Sequence, residues 1–371
     1  MKPIRLKLMA VVATALWLTA CATVGEQSKG PTDTPEHHYA AGQKFLEEKK
    51  FTDALAEFER ARALNPKYAP AFEGIALAYL GLGDLAKAEE AAETAKDLDS
   101  KFPPGYVAAG RVQTAKGEIK KAVGEFTQAL ELDPKYFEAH YYRGQAYLKD
   151  YQFVRAERDF DAALQIQPMF APARREWERS MKIRMAAPGT NIGKKIALAD
   201  PITRADLAAL IATELGLEEK LRKRRPELFD PSFKAPQGIQ MPAAAAPPIT
   251  DVDGAHWARG FIELVTRFHL MQPFPDRTFR PADRVDRATY AMTVQEILVL
   301  ASGDDTIRKR FIGSVSPFPD VRSDHFAFNA IMMVTTRGLL EAEKQSGAFR
   351  LTDPVSGPDA LLSLRKLAEL F

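Results

Sequence analysis

The stretch GRVQTAKGEIKKAVGEFTQALELDP, residues 110–134, decides the fold of the first half of the chain. Gly110 and Gln113 fall on one helical run. Ala122, Phe126 and Ala129 then recur at i, i+4 and i+7, the spacing of one helix face, and Pro134 stops the second run. A shift of 34 residues returns the same pattern. Gly42, Gly110 and Gly144 share one register, with Ala76 in the remaining slot, and Phe45, Tyr79, Gln113 and Tyr147 lie three residues on. Ala54, Ala88, Ala122 and Ala156 recur, then Phe58, Ala92, Phe126 and Phe160, then Ala61, Ala95, Ala129 and Ala163. Pro66, Pro134 and Pro168 close three units, and Ser100 takes that slot in the second. Small residues let two antiparallel helices approach, aromatic side chains fill the space between them, and proline ends the pair. A period of this length reads as stacked helical hairpins, since one hairpin cannot bury its own apolar face.

The pattern resembles the tetratricopeptide repeat, in four copies over 35–172 without an insertion. The resemblance implies a right-handed helical superhelix whose first helices line a face that binds a peptide or protein. Carried onto this sequence, the groove residues are Tyr39, Gln43, Glu73, Leu77, Val107, Arg111, Tyr141 and Gln145. They lack the lysine and asparagine set of the chaperone-tail clamps. Residues 173–191 are expected to supply a capping helix and a junction.

The remainder, 192–371, repeats less cleanly. Three segments align, near 192–225, 249–301 and 316–371. ADPITRAD (199–206), ADRVDRAT (282–289) and TDPVSGPD (352–359) each precede a helical run. Asp251 and His256 recur as Asp320 and His325, and Phe279-Arg280 as Phe349-Arg350. Thr203, Asp286 and Ser356 have the chemistry of helix N-caps. This arrangement resembles the S-layer homology domain, which implies a pseudo-threefold helical bundle with short extended segments and grooves that hold cell-wall polysaccharide. The expected glycan contacts are Arg204, Arg287, His256 and Trp257. A cation in the first turn of a helix opposes the macrodipole, so the paired arginines suggest an anionic ligand; pairing with a nearby aspartate is the alternative. Trp257 can instead be a core residue whose indole N–H needs a partner. His269, Pro273 and Arg277 occupy slots where turn glycines are expected. Gly357 replaces the third arginine, and the first copy has no H-W-A half, which the capping helix is expected to replace. At most one or two grooves are therefore expected to work. Residues 226–248 form a Pro/Ala-rich insertion, preceded by a basic cluster at 220–225.

Residues 1–20 read as a signal peptide: Lys2, Arg5 and Lys7 precede an apolar run too short to span a bilayer. Leu18-Thr19-Ala20-Cys21 resembles the bacterial lipoprotein box, which implies lipidation at Cys21, and residues 21–34 read as a flexible tether. Ala22 after the cysteine implies the outer membrane, on the periplasmic side, with the cell surface as the alternative.

The chain holds 51 basic and 49 acidic residues, and the first 20 residues carry three of the basic ones, which leaves −1 beyond them. No global field favours nucleic acid, and a single cysteine excludes an internal disulfide framework. No hydrolase, nucleotide-binding or zinc-protease motif is present, and Asp251-Val-Asp-Gly254 has its glycine too early for a calcium loop. No catalytic residue, metal site or cofactor is expected. The expected function is a non-catalytic envelope adaptor that joins a partner protein to cell-wall glycan or peptidoglycan from a lipid anchor. The alternatives are an assembly or pilot lipoprotein for a secretin, pilus or polysaccharide-export channel, and an accessory subunit of a glycan-processing enzyme.

Overall fold

The computed structural model describes residues 26–230 and 248–370. Cys21, the signal segment, residues 21–25 of the tether and residues 231–247 of the insertion lie outside the described residues. Helices dominate, and no strand occurs among the described residues. Four hairpins come first: α1 (Pro35–Glu47) with α2 (Phe51–Leu64), α3 (Ala69–Leu82) with α4 (Leu85–Leu98), α5 (Pro103–Ala115) with α6 (Ile119–Leu132), and α7 (Phe137–Lys149) with α8 (Phe153–Ile166). Then follow α9 (Ala171–Ala186), α10 (Asn191–Ile196), α11 (Arg204–Thr213), α12 (Leu217–Arg224), α13 (Arg259–Arg267), α14 (Arg287–Ser302), α15 (Phe328–Thr336) and α16 (Gly357–Ala368). None of the described helices is long and apolar enough to cross a membrane.

The chain divides into two compact units, Met1–Pro134 and Lys135–Phe371. The division falls one hairpin earlier than the junction expected at 173–191. The reason is α9, which packs on α8 of the fourth hairpin and on α16 of the bundle. Leu148, Phe153 and Phe160 consequently join the same apolar cluster as Ile183, Ile202 and Val285.

Within the hairpins the repeated small residues have a steric cause. A Cβ on Gly110 would stand 2.6 Å from the Phe126 ring, and one on Gly144 would stand 2.7 Å from the ring of Phe160. Both rings are fully buried. Residues 26–34 do not form the free tether expected of them. The Glu26 N–H donates to the Ala63 carbonyl (2.6 Å), Thr34 caps α1, and Asp33 accepts from Arg60 Nε (3.0 Å) and from the Lys29 N–H (2.6 Å). Charge pairing with α2 has captured a polar stretch that composition alone reads as mobile.

The C-terminal bundle is closed around a threefold centre of backbone hydrogen bonds. The Ile202 N–H donates to the Val355 carbonyl (2.9 Å), the Val355 N–H to that of Val285 (2.9 Å), and the Val285 N–H to that of Ile202 (3.0 Å). Each of these residues immediately precedes the N-cap of a second helix, and Thr203, Asp286 and Ser356 all accept from the expected N–H groups. Helix packing follows the same cycle: α11 on α13, α14 on α15, and α16 on α9. Helix α9 thus takes the place of the missing first helix of copy one and also covers the last hairpin. The basic cluster at 220–225 is largely consumed within the fold. Arg222 and Lys223 reach back to Glu218 and Glu219, Lys220 donates to the Ala368 carbonyl, and Arg225 donates to Leu300 and pairs with Glu227.

Candidate functional site

The second helix of copy one starts at Arg204 because Thr203 and Asp206 form a reciprocal capping box. That start aims Arg204 across the boundary onto copy two. Its Nε donates to the Phe279 carbonyl (2.8 Å) and its Nη2 to the Gln272 carbonyl (3.0 Å). The guanidinium lies 4.5 Å from the Phe279 ring centre and 5.0 Å from that of Phe274. Arg287 repeats the arrangement one copy later, donating from Nε to Phe349 (2.7 Å) and from Nη2 to Glu341 (2.7 Å), with the Phe349 ring 4.5 Å away. Among the described residues, neither arginine is paired with an aspartate. Both guanidinium groups are instead engaged by backbone carbonyls. Each holds the loop of the next copy, because its N–H groups supply donors to backbone carbonyls that a helix-free loop leaves without them.

The aspartates at the head of each copy have a matching task. Asp251 accepts from the N–H groups of Phe279 and Arg280 (2.7 Å each), and Asp320 from those of Phe349 and Arg350 (2.8 and 2.6 Å). These clasps hold Arg280 (φ 53°) and Arg350 (φ 55°) in the left-handed region. His269 (φ 58°) and Arg277 (φ 64°) are left-handed too, where the third copy has Gly338 (63°) and Gly347 (71°); Pro273 is not. Such a conformation costs a residue with a Cβ about 1–2 kcal/mol.

The three arginine positions open onto very different surroundings. At Arg204 there is a groove of about 550 Å³. The loop residues His269 and Gln272, the α14 residues Thr289 and Glu296, and Arg308 contribute to its lining. Arg308 is held by Glu296 (Nε to Oε1, 3.1 Å) and by Asp305. Arg204 is only 9% exposed, and its Nη1 has no hydrogen bond among the described residues. Burial pushes its guanidinium below the usual arginine range. Asp283 and Asp251 act against that shift, and Arg280 adds to it. At Arg287 the position that corresponds to Glu296 is Lys366, whose Nζ donates to the Gly338 carbonyl (2.8 Å). At Gly357 no side chain fits: a Cβ there would stand 1.9 Å from the Ile196 carbonyl oxygen, and the Gly357 N–H donates to Ala199 (2.9 Å).

His256 and Trp257 separate in role. His256 Nδ1 accepts from the Ala258 N–H (3.2 Å) and so helps to start α13; His325 does the same for Ala327. Trp257 is 55% exposed, and Phe326, its counterpart, 77%. The core alternative for Trp257 is corrected, since its ring lies outside the bundle against His256 and the edge of Phe261. The sequence had no signal for Glu296 and Arg308, which lie twelve residues apart across the end of α14.

In the hairpins, five of the eight groove residues expected from the repeat are half-buried and three are enclosed. Glu73, Leu77 and Val107 are buried. Glu73 accepts from the Tyr39 hydroxyl (3.0 Å) and from Gln43 Nε2 (3.4 Å), so three of the expected contacts satisfy one another. Arg111 is half-buried on α5. In the second unit, Tyr141 accepts from Gln145 Nε2 (2.9 Å) and packs against Phe160 and Phe170. Beside them, Asp159 binds Arg143 through two hydrogen bonds (2.8 and 2.7 Å), with His140 Nδ1 at 3.4 Å. Burial pushes the Asp159 carboxyl up, but the hydrogen bonds from Arg143 and His140 outweigh it and leave it below the usual range.

Comparison with known proteins agrees with both repeat systems. A tetratricopeptide repeat model matches residues 45–109 and a TPR repeat model matches 110–150, while an S-layer homology domain model matches 248–291. The chain is similar to Cell surface glycoprotein 1 of Acetivibrio thermocellus, 25% identical over 169 residues. That match covers 45% of this chain but only 6% of the glycoprotein, so the chain spans a small fraction of that relative's length. Among solved structures it is similar to a thermophilic TPR protein of Thermus thermophilus (22% identity, TM-score 0.37, covering 40% of this chain and 81% of that one). It is also similar to Pseudomonas aeruginosa pilF (16% identity, TM-score 0.36, 52% and 92%). Tetratricopeptide repeats and S-layer homology domains are typically non-catalytic binding modules. The chain carries tetratricopeptide repeats followed by a C-terminal S-layer homology domain, in a mainly α-helical fold.

Proposed function

We propose that the protein is a non-catalytic cell-envelope adaptor. Its tetratricopeptide hairpins bind a partner protein or peptide, and its S-layer homology domain holds an anionic wall glycan or peptidoglycan carboxylate in the groove at Arg204. The observation that carries this reading is the state of Arg204. It is a nearly buried cation with one unbonded nitrogen, beside a groove of about 550 Å³, and no carboxylate among the described residues pairs with it. A buried charge favours an opposite charge at hydrogen-bond distance, and Nη1 can donate to a carboxylate in the groove. Exposed Trp257 and Phe326 offer apolar faces of the kind on which sugar rings stack. The Lys366 bond to Gly338 and the lack of an arginine at Gly357 set the groove at Arg204 apart from the other two positions.

A lipid at Cys21 would hold the chain to the outer membrane, and the similarity to a cell-surface glycoprotein supports an envelope location. Sedimentation of the full chain with purified sacculi and with wall polysaccharide tests the glycan reading. Arg204→Met is expected to abolish co-sedimentation, while Arg287→Met leaves it within about two-fold; equal retention of both variants would overturn the reading. Labelled palmitate that fails to enter a chain with Cys21 intact would remove the anchor from it.

A further inference from the structure

The stacking of hairpins stops at α9, and an apolar recess is left where it stops. In the first hairpins the Phe51 ring closes over Gly81 at the end of α3, so tightly that a Cβ there would stand 2.3 Å from the ring. The residues that correspond in the last pair are Phe153 and Ile183, and a branched side chain cannot admit the ring in that way. Helix α9 then ends in left-handed Ala187 (φ 45°), and Pro188 leads the chain away instead of into a second helix. The result is a recess of about 450 Å³ between the α7–α8 turn and the end of α9. That size lies at the lower end of the range for ligand sites, about 300–1,000 Å³. Buried Phe153 and Ile183 form its floor, and Tyr151 and Val154 stand beside them, 42% and 48% exposed.

The rim is cationic. Arg184 donates from Nε to Glu157 (2.6 Å). Arg155 lies 5.7 Å from the Tyr147 ring centre and meets no carboxylate among the described residues. Arg155 and Arg184 are thus the charged side chains of the lining, while the carboxylates nearby, Glu157 and Asp150, stand behind Arg184 and Gln152. The expected groove residues Tyr141 and Gln145 do not line it.

We propose that this recess is a docking surface, distinct from the face of the first helices. Its occupant is a peptide segment that seats a bulky aliphatic side chain on Phe153 and Val154 and places a carboxylate beside Arg155. Fluorescence anisotropy with the full chain tests it, using three labelled decapeptides. One alternates Asp with Leu or Ile; the second has Lys for each Asp; the third has Ser for each Leu or Ile. The acidic aliphatic peptide is expected to bind about ten-fold more tightly than either of the others. Val154→Glu, at an exposed position that leaves the helical CD and melting unchanged, is expected to lower its affinity about ten-fold, and Arg155→Glu to reverse the preference towards the lysine peptide. Tyr141→Phe combined with Gln145→Ala, which keeps the ring packed on Phe160 while removing the polar groups of the other face, should change nothing. The proposal is overturned by equal binding of the three peptides, by a loss confined to the Tyr141/Gln145 variant, or by sedimentation showing a dimer of the free chain that Val154→Glu dissolves.

Discussion

In the hairpins, Gly110 and Gly144 strip a helix down to backbone so that Phe126 and Phe160 can enter; in the C-terminal bundle, Arg204 and Arg287 reach outward to the backbone of the next copy. The first system repeats by translation. Each hairpin meets only the hairpins beside it, so one pair can be all alanine, as Ala76 and Ala92 are, without loss of the register. The second repeats by rotation and must close on itself. There, one exception has to be matched by a specific replacement: Gly357 is needed because the chain before α11 passes where an arginine would stand. A linear stack tolerates substitution within a unit, whereas a ring transmits it to a neighbour.

The sharpest way to break this contrast is Phe160→Ala. Truncating a fully buried phenylalanine costs about 3–5 kcal/mol, and Phe160 shares an apolar cluster with the bundle. Thermal unfolding followed by calorimetry should therefore show the bundle losing stability with it, whereas Phe126→Ala should act on the first unit. Next in size is Gly357→Ala. Its Cβ has backbone, not a flexible side chain, in its way, and the expected loss is about 3 kcal/mol in urea unfolding. The same change at exposed Gly124, with open space around it, should be neutral or stabilising.

Arg204→Met is expected to cost about 2 kcal/mol, since it leaves the Phe279 and Gln272 carbonyls without their charged donor. Arg204→Lys should recover little of it, because a single ammonium does not span both acceptors. A smaller effect is expected with pH. The Asp159 carboxyl is depressed in the fold, so its contribution is complete above the unfolded carboxylate value, about 3.9, and is lost as pH falls through the folded one. Stability measured between pH 6 and pH 3 should decline less steeply in Asp159→Asn than in the parent. Smallest of all, Trp257→Ala should shift stability by no more than about 0.5 kcal/mol, as befits an exposed ring, while weakening glycan sedimentation.

The repeat of Ala122, Phe126 and Ala129 was legible because it is a periodic demand of helix packing, and the caps Thr203, Asp286 and Ser356 because capping is local chemistry. The positive φ angles at His269 and Arg277 were visible as missing glycines. The burial of Glu73 was not, since it depends on Tyr39 and Gln43 of another repeat turning inward. Nor was the capture of residues 26–34 by Arg60, which is a matter of charge at long sequence separation.

The order of residues, then, determined the two repeat systems, the hairpin register, the helix starts and the positions of the arginines. All of these follow from interactions within a few turns of chain. Only the tertiary structure decided where each guanidinium points, what surrounds each of the three equivalent positions, and that α9 serves both systems. Those outcomes depend on which backbone carbonyls and side chains arrive from the next copy, about seventy residues away in the chain, and no local pattern records their arrival.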